Sequence, residues 1–151
     1  MTGVDQALLT LHDLLKPIKG DWMVIGTSSL YLAGCPVVPN DIDILCDVIT
    51  AREIECLLAG YKIDSQVKPN DKFRSIFSQY NCTGFSVEVM GDLKVNTPEG
   101  WIKLLGVIKK VIITHYAGKA FKTPSLSDQL RIYALFNRAK DAPILQMLSK
   151  R

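Results

Sequence analysis

No run in this 151-residue sequence approaches the roughly 20 consecutive apolar residues that a membrane-spanning helix needs. The opening stretch, MTGVDQALLTLHDLLKPIKG, carries Asp5 and Asp13 within a helical rather than continuous apolar pattern, so it does not read as a secretion signal. The four cysteines, Cys35, Cys46, Cys56 and Cys82, form no C-x-x-C pair and no zinc-ligand spacing. Without an export signal they read as reduced thiols and a cytoplasmic location is expected, so the sequon at Asn81-Cys82-Thr83 carries no message. His12 and His115 lack partners at useful spacing, which assigns both to ordinary structural roles. The P-loop, the G-x-G-x-x-G turn and the H-E-x-x-H helix are all absent, so the commoner nucleotide and zinc mechanisms have no support. The formal charge of +3 suits a phosphate-bearing ligand but is too small to point to nucleic acid as a stable partner.

With 48% apolar and 22% charged residues, the composition is that of an ordinary globular chain. There is no internal repeat, low-complexity segment or linker. A single domain over residues 1–151 is expected, with a core over about 18–122 and C-terminal helices over about 125–150.

Leu8, Leu11, Leu14 and Leu15 recur at helical spacing and predict a helix over 4–17. Trp22-Met-Val-Ile-Gly26 reads as a buried strand. Thr27 to Gly34 reads as a short helix that starts at a hydroxyl cap. Residues 41–47, DIDILCD, alternate strictly, with Ile42 and Ile44 on one face and Asp41 and Asp43 on the other. Thr50 with Glu53 reads as the capping box of the next helix, which Gly60 ends. Residues 61–68, 71–80 and 84–95 read as strands, and 101–122 as one or two more with a hairpin turn at Ala117-Gly118-Lys119. The tail from Thr123 is helical, capped at Ser125 or Ser127, with Leu130, Tyr133, Ala134 and Phe136 or Asn137 as its periodic face. Asp141 and Pro143 restart a last helix, and Trp22 and Trp101 read as core. The order of elements makes an α+β domain.

The feature that calls for chemistry is Asp41-Ile42-Asp43. Two carboxylates at i and i+2 share one strand face and repel each other, which raises one pKa. A hard divalent cation removes that conflict. Magnesium takes one or two carboxylates plus substrate phosphates, and two such ions about 3.5–4 Å apart can clamp both oxygens of a phosphoryl or nucleotidyl transfer. Upstream, Gly26 permits close backbone approach, and Thr27, Ser28 and the following amides can hold phosphate oxygens or simply cap a helix. In Phe85-Ser-Val-Glu-Val-Met90, Val87 and Val89 face the core, so Glu88 lies on the other face as a third metal ligand or a general base, with Asp92 as its alternate. Arg74 and Lys72 alternate near the same cleft and read first as a solvated face.

Gly26-Thr27, thirteen residues and Asp41-Ile42-Asp43-Ile44, with Glu88 on a later strand, resemble the signature of the DNA polymerase beta-type nucleotidyltransferase superfamily, its small members in particular. Arg138, Lys140 and Asp141 resemble the R-x-K-D element of its closing helix, although they read first as cations at a helix end and, for Asp141, as a cap of the next helix. Thr27 stands where serine or glycine is usual, Glu88 where aspartate is common, and Val38, Pro39 and Asn40 where a basic residue often precedes the strand. The resemblance implies a mixed β-sheet with helices packed on one side and a C-terminal helical extension. It implies Asp41, Asp43 and Glu88 as metal ligands and catalytic groups, Gly26, Thr27, Ser28 and Lys140 as nucleotide-binding residues, and one or two Mg2+ ions. The implied activity is transfer of NMP from an NTP to an acceptor hydroxyl. By analogy a homodimer is compatible with the size of the chain. A catalytically inactive, antitoxin-like or regulatory binding module with a protein partner is the alternative.

Overall fold

Helix α1 (Gly3–Leu14) begins at a capping box in which the Thr2 hydroxyl accepts from the Asp5 amide while the Asp5 carboxylate accepts from the Thr2 amide. The computed structural model describes residues 2–65, 70–82 and 84–150. Ala7, Leu8, Leu11 and Leu15 form the buried stripe of α1.

Strand β1 (Trp22–Ile25) runs into helix α2 (Gly26–Leu32), and strand β2 (Asp41–Cys46) into helix α3 (Val48–Leu57). Then come β3 (Lys62–Ile63), β4 (Phe73–Asn81), β5 (Ser86–Thr97) and β6 (Gly100–Lys103). The chain closes with α4 (Leu104–Val107), the hairpin β7 (Val111–Tyr116) and β8 (Lys119–Pro124), and helices α5 (Leu126–Phe136) and α6 (Ala142–Ser149). The main sheet has the order β1-β2-β5-β4-β3, with β6 also paired to β5. β2 and β5 run parallel and every other pair is antiparallel, so the sheet is mixed.

One face of this sheet presents Val24, Ile42, Ile44, Tyr80, Val87 and Val89 to α1 and α3. Gly91 is what lets α3 close on β5, because a Cβ there would lie 2.6 Å from the Ala51 Cβ. A second apolar cluster joins Ile25, Leu45, Leu93 and Val95 to α5 and α6 through Ile132, Tyr133, Phe136 and Leu148. β5 serves both clusters because its alternation is reset at Asp92, which has φ 53° opposite a register shift between Arg74 and Ile76. Val87 and Val89 before that bulge face α1 and α3, and Leu93 and Val95 beyond it face α5. Helices thus pack one side of the mixed sheet and the C-terminal helices extend over the other.

Several local expectations change. Thr27 is not a cap, because α2 starts one residue earlier and its N-cap, Ile25, has no side-chain bond to offer. Thr50 is not a cap either. Asp47 caps α3 by accepting from the Thr50 amide at 2.7 Å, and Glu53 accepts from the amides of Lys19 and Gly20 instead. Of the strand expected over 61–68, Lys62–Ile63 is paired, and residues 66–69 lie outside the described residues. Residues 104–107 make a helical turn between strands. On α5, capped by Ser125, the buried face is Asp128, Gln129, Ile132, Tyr133 and Phe136, while Ala134 and Asn137 are exposed. Trp101 is half-buried on β6 with the Arg74 guanidinium stacked 4.0 Å from its ring, a surface pair rather than core. The hairpin turn falls where expected, with Ala117 and Gly118 both at positive φ.

Candidate active site

Strand register assembles the carboxylates. Asp41 and Asp43 share a face of β2 because side chains alternate, and Ile42 and Ile44 between and beyond them are drawn into the core. Across the parallel ladder Asp43 pairs with Glu88, and on the other side it pairs with Ile25, the residue before Gly26. One oxygen from each of Asp41, Asp43 and Glu88 lies within 4.8 Å of the others.

The electrostatics are unfavourable for a bare cluster. Burial, then the charges of Asp41 and Glu88, push the Asp43 carboxyl well above the usual range. Burial also raises Glu88 and Asp41, and the Lys140 ammonium nearby opposes the rise in both. Asp43 Oδ1 is buried with no hydrogen-bond partner. A buried carboxylate oxygen without a donor carries a full desolvation penalty, and a hard cation is the partner that this donor set fits. Three carboxylate oxygens with no thiol or imidazole among them suit magnesium or manganese rather than zinc.

Gly26 completes the corner. It sits at φ +68°, and a Cβ there would lie 2.7 Å from Asp43 Oδ2. Only glycine allows the backbone to turn this tightly against the carboxylate. Thr27 follows at the cleft surface, in contact with the Tyr133 phenol, whose pKa is pushed up to about 12 by burial and by the charges of Asp141 and Asp43. Ser28 departs from expectation. It is buried, and its hydroxyl donates to the Asp41 carbonyl at 2.5 Å, so it braces β2 behind the cleft instead of facing a ligand.

The cleft above this corner has a volume of about 940 Å³. Its polar end holds Gly26, Thr27, Asp41, Asp43, Glu88 and Lys140, and its apolar end Phe73, Phe77, Met90, Ile132, Phe136 and Ile144. Arg138 closes one wall. Its guanidinium bonds both oxygens of buried Asp141, at 2.7 and 3.2 Å, and lies 4.8 Å from the Phe136 ring and 5.7 Å from that of Phe73. Asp141 therefore answers Arg138 and does not cap α6. Lys140 is exposed and lines the cleft. Asp92 is outside this constellation, with its carboxylate 3.5 Å from both Lys94 and Lys103. Lys72 is likewise engaged elsewhere, donating to the Asn96 carbonyl.

No protein-family model matches the chain, and no curated protein does. Solved structures do. A Thermotoga maritima protein described as a candidate nucleotidyltransferase is 29% identical, with a TM-score of 0.77 over 95% of this chain and 91% of its own. The chain belongs to the nucleotidyltransferase superfamily. Two more distant nucleotidyltransferase-fold structures share its architecture. The lincosamide antibiotic adenylyltransferase LnuA, solved with lincomycin bound, is 18% identical, with a TM-score of 0.63 over 95% of this chain and 94% of its own. The antibiotic-resistance factor ANT(2'')-Ia is 8% identical, with a TM-score of 0.60 over 97% of this chain and 82% of its own. At those identities the likeness is one of fold. No described helix of this nucleotidyltransferase-superfamily chain is long and apolar enough to cross a membrane.

Sequence reasoning missed Gln129, Tyr133 and the aromatic end of the cleft. A signal existed for the first two. Gln129 is a polar residue on the stripe that continues through Ile132, Tyr133 and Phe136, and a polar group on a core stripe asks for a buried partner.

Proposed function

We propose that the protein transfers a nucleoside monophosphate from an NTP to an acceptor hydroxyl, with pyrophosphate as the second product. The observation that carries this reading is the buried, unpartnered Asp43 Oδ1 inside a three-carboxylate cluster, set against the positive-φ turn at Gly26. Asp41, Asp43 and Glu88 would hold Mg2+, which when bound neutralises charge on the carboxylates and on the phosphates.

The chain's own groups do the remaining work. The backbone at Gly26-Thr27, with the Thr27 hydroxyl, holds the triphosphate against the cluster, and Ser28 keeps β2 in place beneath it. Lys140, already felt electrostatically by Asp41 and Glu88, offsets charge on the phosphates. Glu88 accepts the acceptor's proton as the hydroxyl oxygen bonds to the α-phosphorus and the bond from that phosphorus to the bridging oxygen breaks, with the electron pair leaving on pyrophosphate. Positioning and fixed charge supply most of the rate. The apolar end of the cleft offers room for the nucleobase or for the acceptor.

The test is thermal unfolding of wild type and Asp41→Asn with ATP, GTP, CTP and UTP, each with and without Mg2+. A ligand at about 100 times its Kd adds about 2.7 kcal/mol of stability. A Mg2+-dependent shift that the variant loses is expected. The absence of any shift in a folded wild type would refute the enzyme and leave the inactive binding module.

A further inference from the structure

The glycine turn is not held by its own strand and helix alone. Ser29, fully buried, places its hydroxyl oxygen 2.7 Å from the Gly26 carbonyl and also 2.7 Å from Gln129 Oε1, one hundred residues away in sequence. Gln129 is itself buried, at 2% exposure. Its orientation is fixed by the other end of the amide, because Nε2 donates to the Pro124 carbonyl at 3.2 Å. Turned round, Oε1 would face that carbonyl with no proton between them, so the amide oxygen must point to Ser29. The single hydroxyl proton of Ser29 is therefore shared between the carbonyl of the turn and the amide of α5.

One helical turn further on, Tyr133 meets Thr27. Gln129 and Tyr133 line the same cleft as Gly26, Thr27 and Asp43. Two successive turns of α5 thus meet Ser29 and Thr27, both in the segment that packs against Asp43. A leucine would fill position 129 without the cost of burying an amide. A buried, hydrogen-bonded polar pair instead specifies one geometry.

We propose that Gln129 is a positioning residue, which through Ser29 sets the Gly26-Thr27 turn against the carboxylate cluster and so sets triphosphate affinity. This rests on the nucleotidyltransfer reading above.

The experiment uses the full chain as wild type, Gln129→Met, Ser29→Ala, the double variant and Asp43→Asn. Each is titrated calorimetrically with MgATP, MgGTP, MgCTP and MgUTP, and with Mn2+ alone by electron paramagnetic resonance. In Gln129→Met and Ser29→Ala, triphosphate affinity should fall by about tenfold or more while Mn2+ affinity stays within twofold, since a displaced turn leaves the carboxylates in place. The double variant should bind no more weakly than the weaker single, the sign of a coupled pair. Triphosphate affinity within twofold of wild type in both single variants would overturn the proposal. So would additive losses, or an equal loss of Mn2+ and triphosphate. A folded wild type that binds no triphosphate, whatever Asp43→Asn does, would remove the underlying reading and this proposal with it.

Discussion

Asp43 and Glu88 stand opposite each other on the parallel strands β2 and β5, both held above the usual carboxyl range by burial, with the Asp43 Oδ1 oxygen left without a donor. A fold that gains nothing from this arrangement in the absence of a ligand has kept charge together at a cost. Sites of this kind are where perturbed carboxyls mark function.

Asp43→Asn should therefore separate stability from activity. The amide removes the buried charge and the repulsion with Asp41 and Glu88, so the unliganded variant should unfold at a temperature equal to or above wild type. Nucleotidyl transfer should fall by at least about 10²-fold, in line with losing one electrostatic stabiliser. Paired thermal melts and a pyrophosphate-release assay check both halves. A variant that is destabilised and active contradicts the assignment.

The same carboxyls set a pH dependence. Their folded-state pKa values are raised, so the folded chain binds more protons than the unfolded one, whose carboxyls titrate near about 4. Their contribution to stability is full below that value and is lost as pH rises through the raised folded values. Without divalent cation, the wild-type unfolding temperature should decline relative to Asp43→Asn as pH rises above about 4. Mg2+ competes with protons for the cluster, so its stabilising increment should grow over the same interval. Melts of both proteins across that interval, with and without Mg2+, measure it, and a magnesium increment independent of pH would contradict the cluster as its site.

Gly26→Ala and Gly34→Ala make a matched pair. Both glycines have positive φ, at +68° and +86°, but a Cβ at Gly34 meets nothing within 4 Å while one at Gly26 meets Asp43. Gly34→Ala should cost about 1–2 kcal/mol of backbone strain and leave nucleotide affinity intact. Gly26→Ala should cost more and lose Mg2+-nucleotide binding. Urea unfolding with calorimetric titration distinguishes them.

Asp47→Ala should destabilise the chain by about 1 kcal/mol through loss of the α3 cap, with nucleotide affinity unchanged because α3 lies on the far face of the sheet. Urea denaturation of that variant beside a nucleotide titration is the check.

The carboxylates were legible because strand alternation is a local property. Once Ile42 and Ile44 are drawn inward, Asp41 and Asp43 must share the opposite face, and the same holds for Glu88 between Val87 and Val89. The helix starts were legible only in part, because Thr27, Thr50 and Asp47 all sit where a cap could form, and a residue or two of slippage decides which one does. The bulge at Asp92 was invisible, since it depends on β4 pairing opposite it and turns the alternation of β5 over.

By itself the sequence determined which residues face which side of β2 and of β5 as far as the bulge at Asp92, and with that the chemistry on offer: three carboxylates, a glycine turn and a basic residue near the C-terminus. Only the tertiary structure decided which of these meet. The parallel β2–β5 register sets Asp43 against Glu88. The same fold turns Asp92 toward Lys94 and Lys103, buries Ser28 behind β2, and brings Gln129 across one hundred residues to Ser29. Those pairings are long-range, and periodicity along the chain holds no information about register between strands or about which helix covers which face.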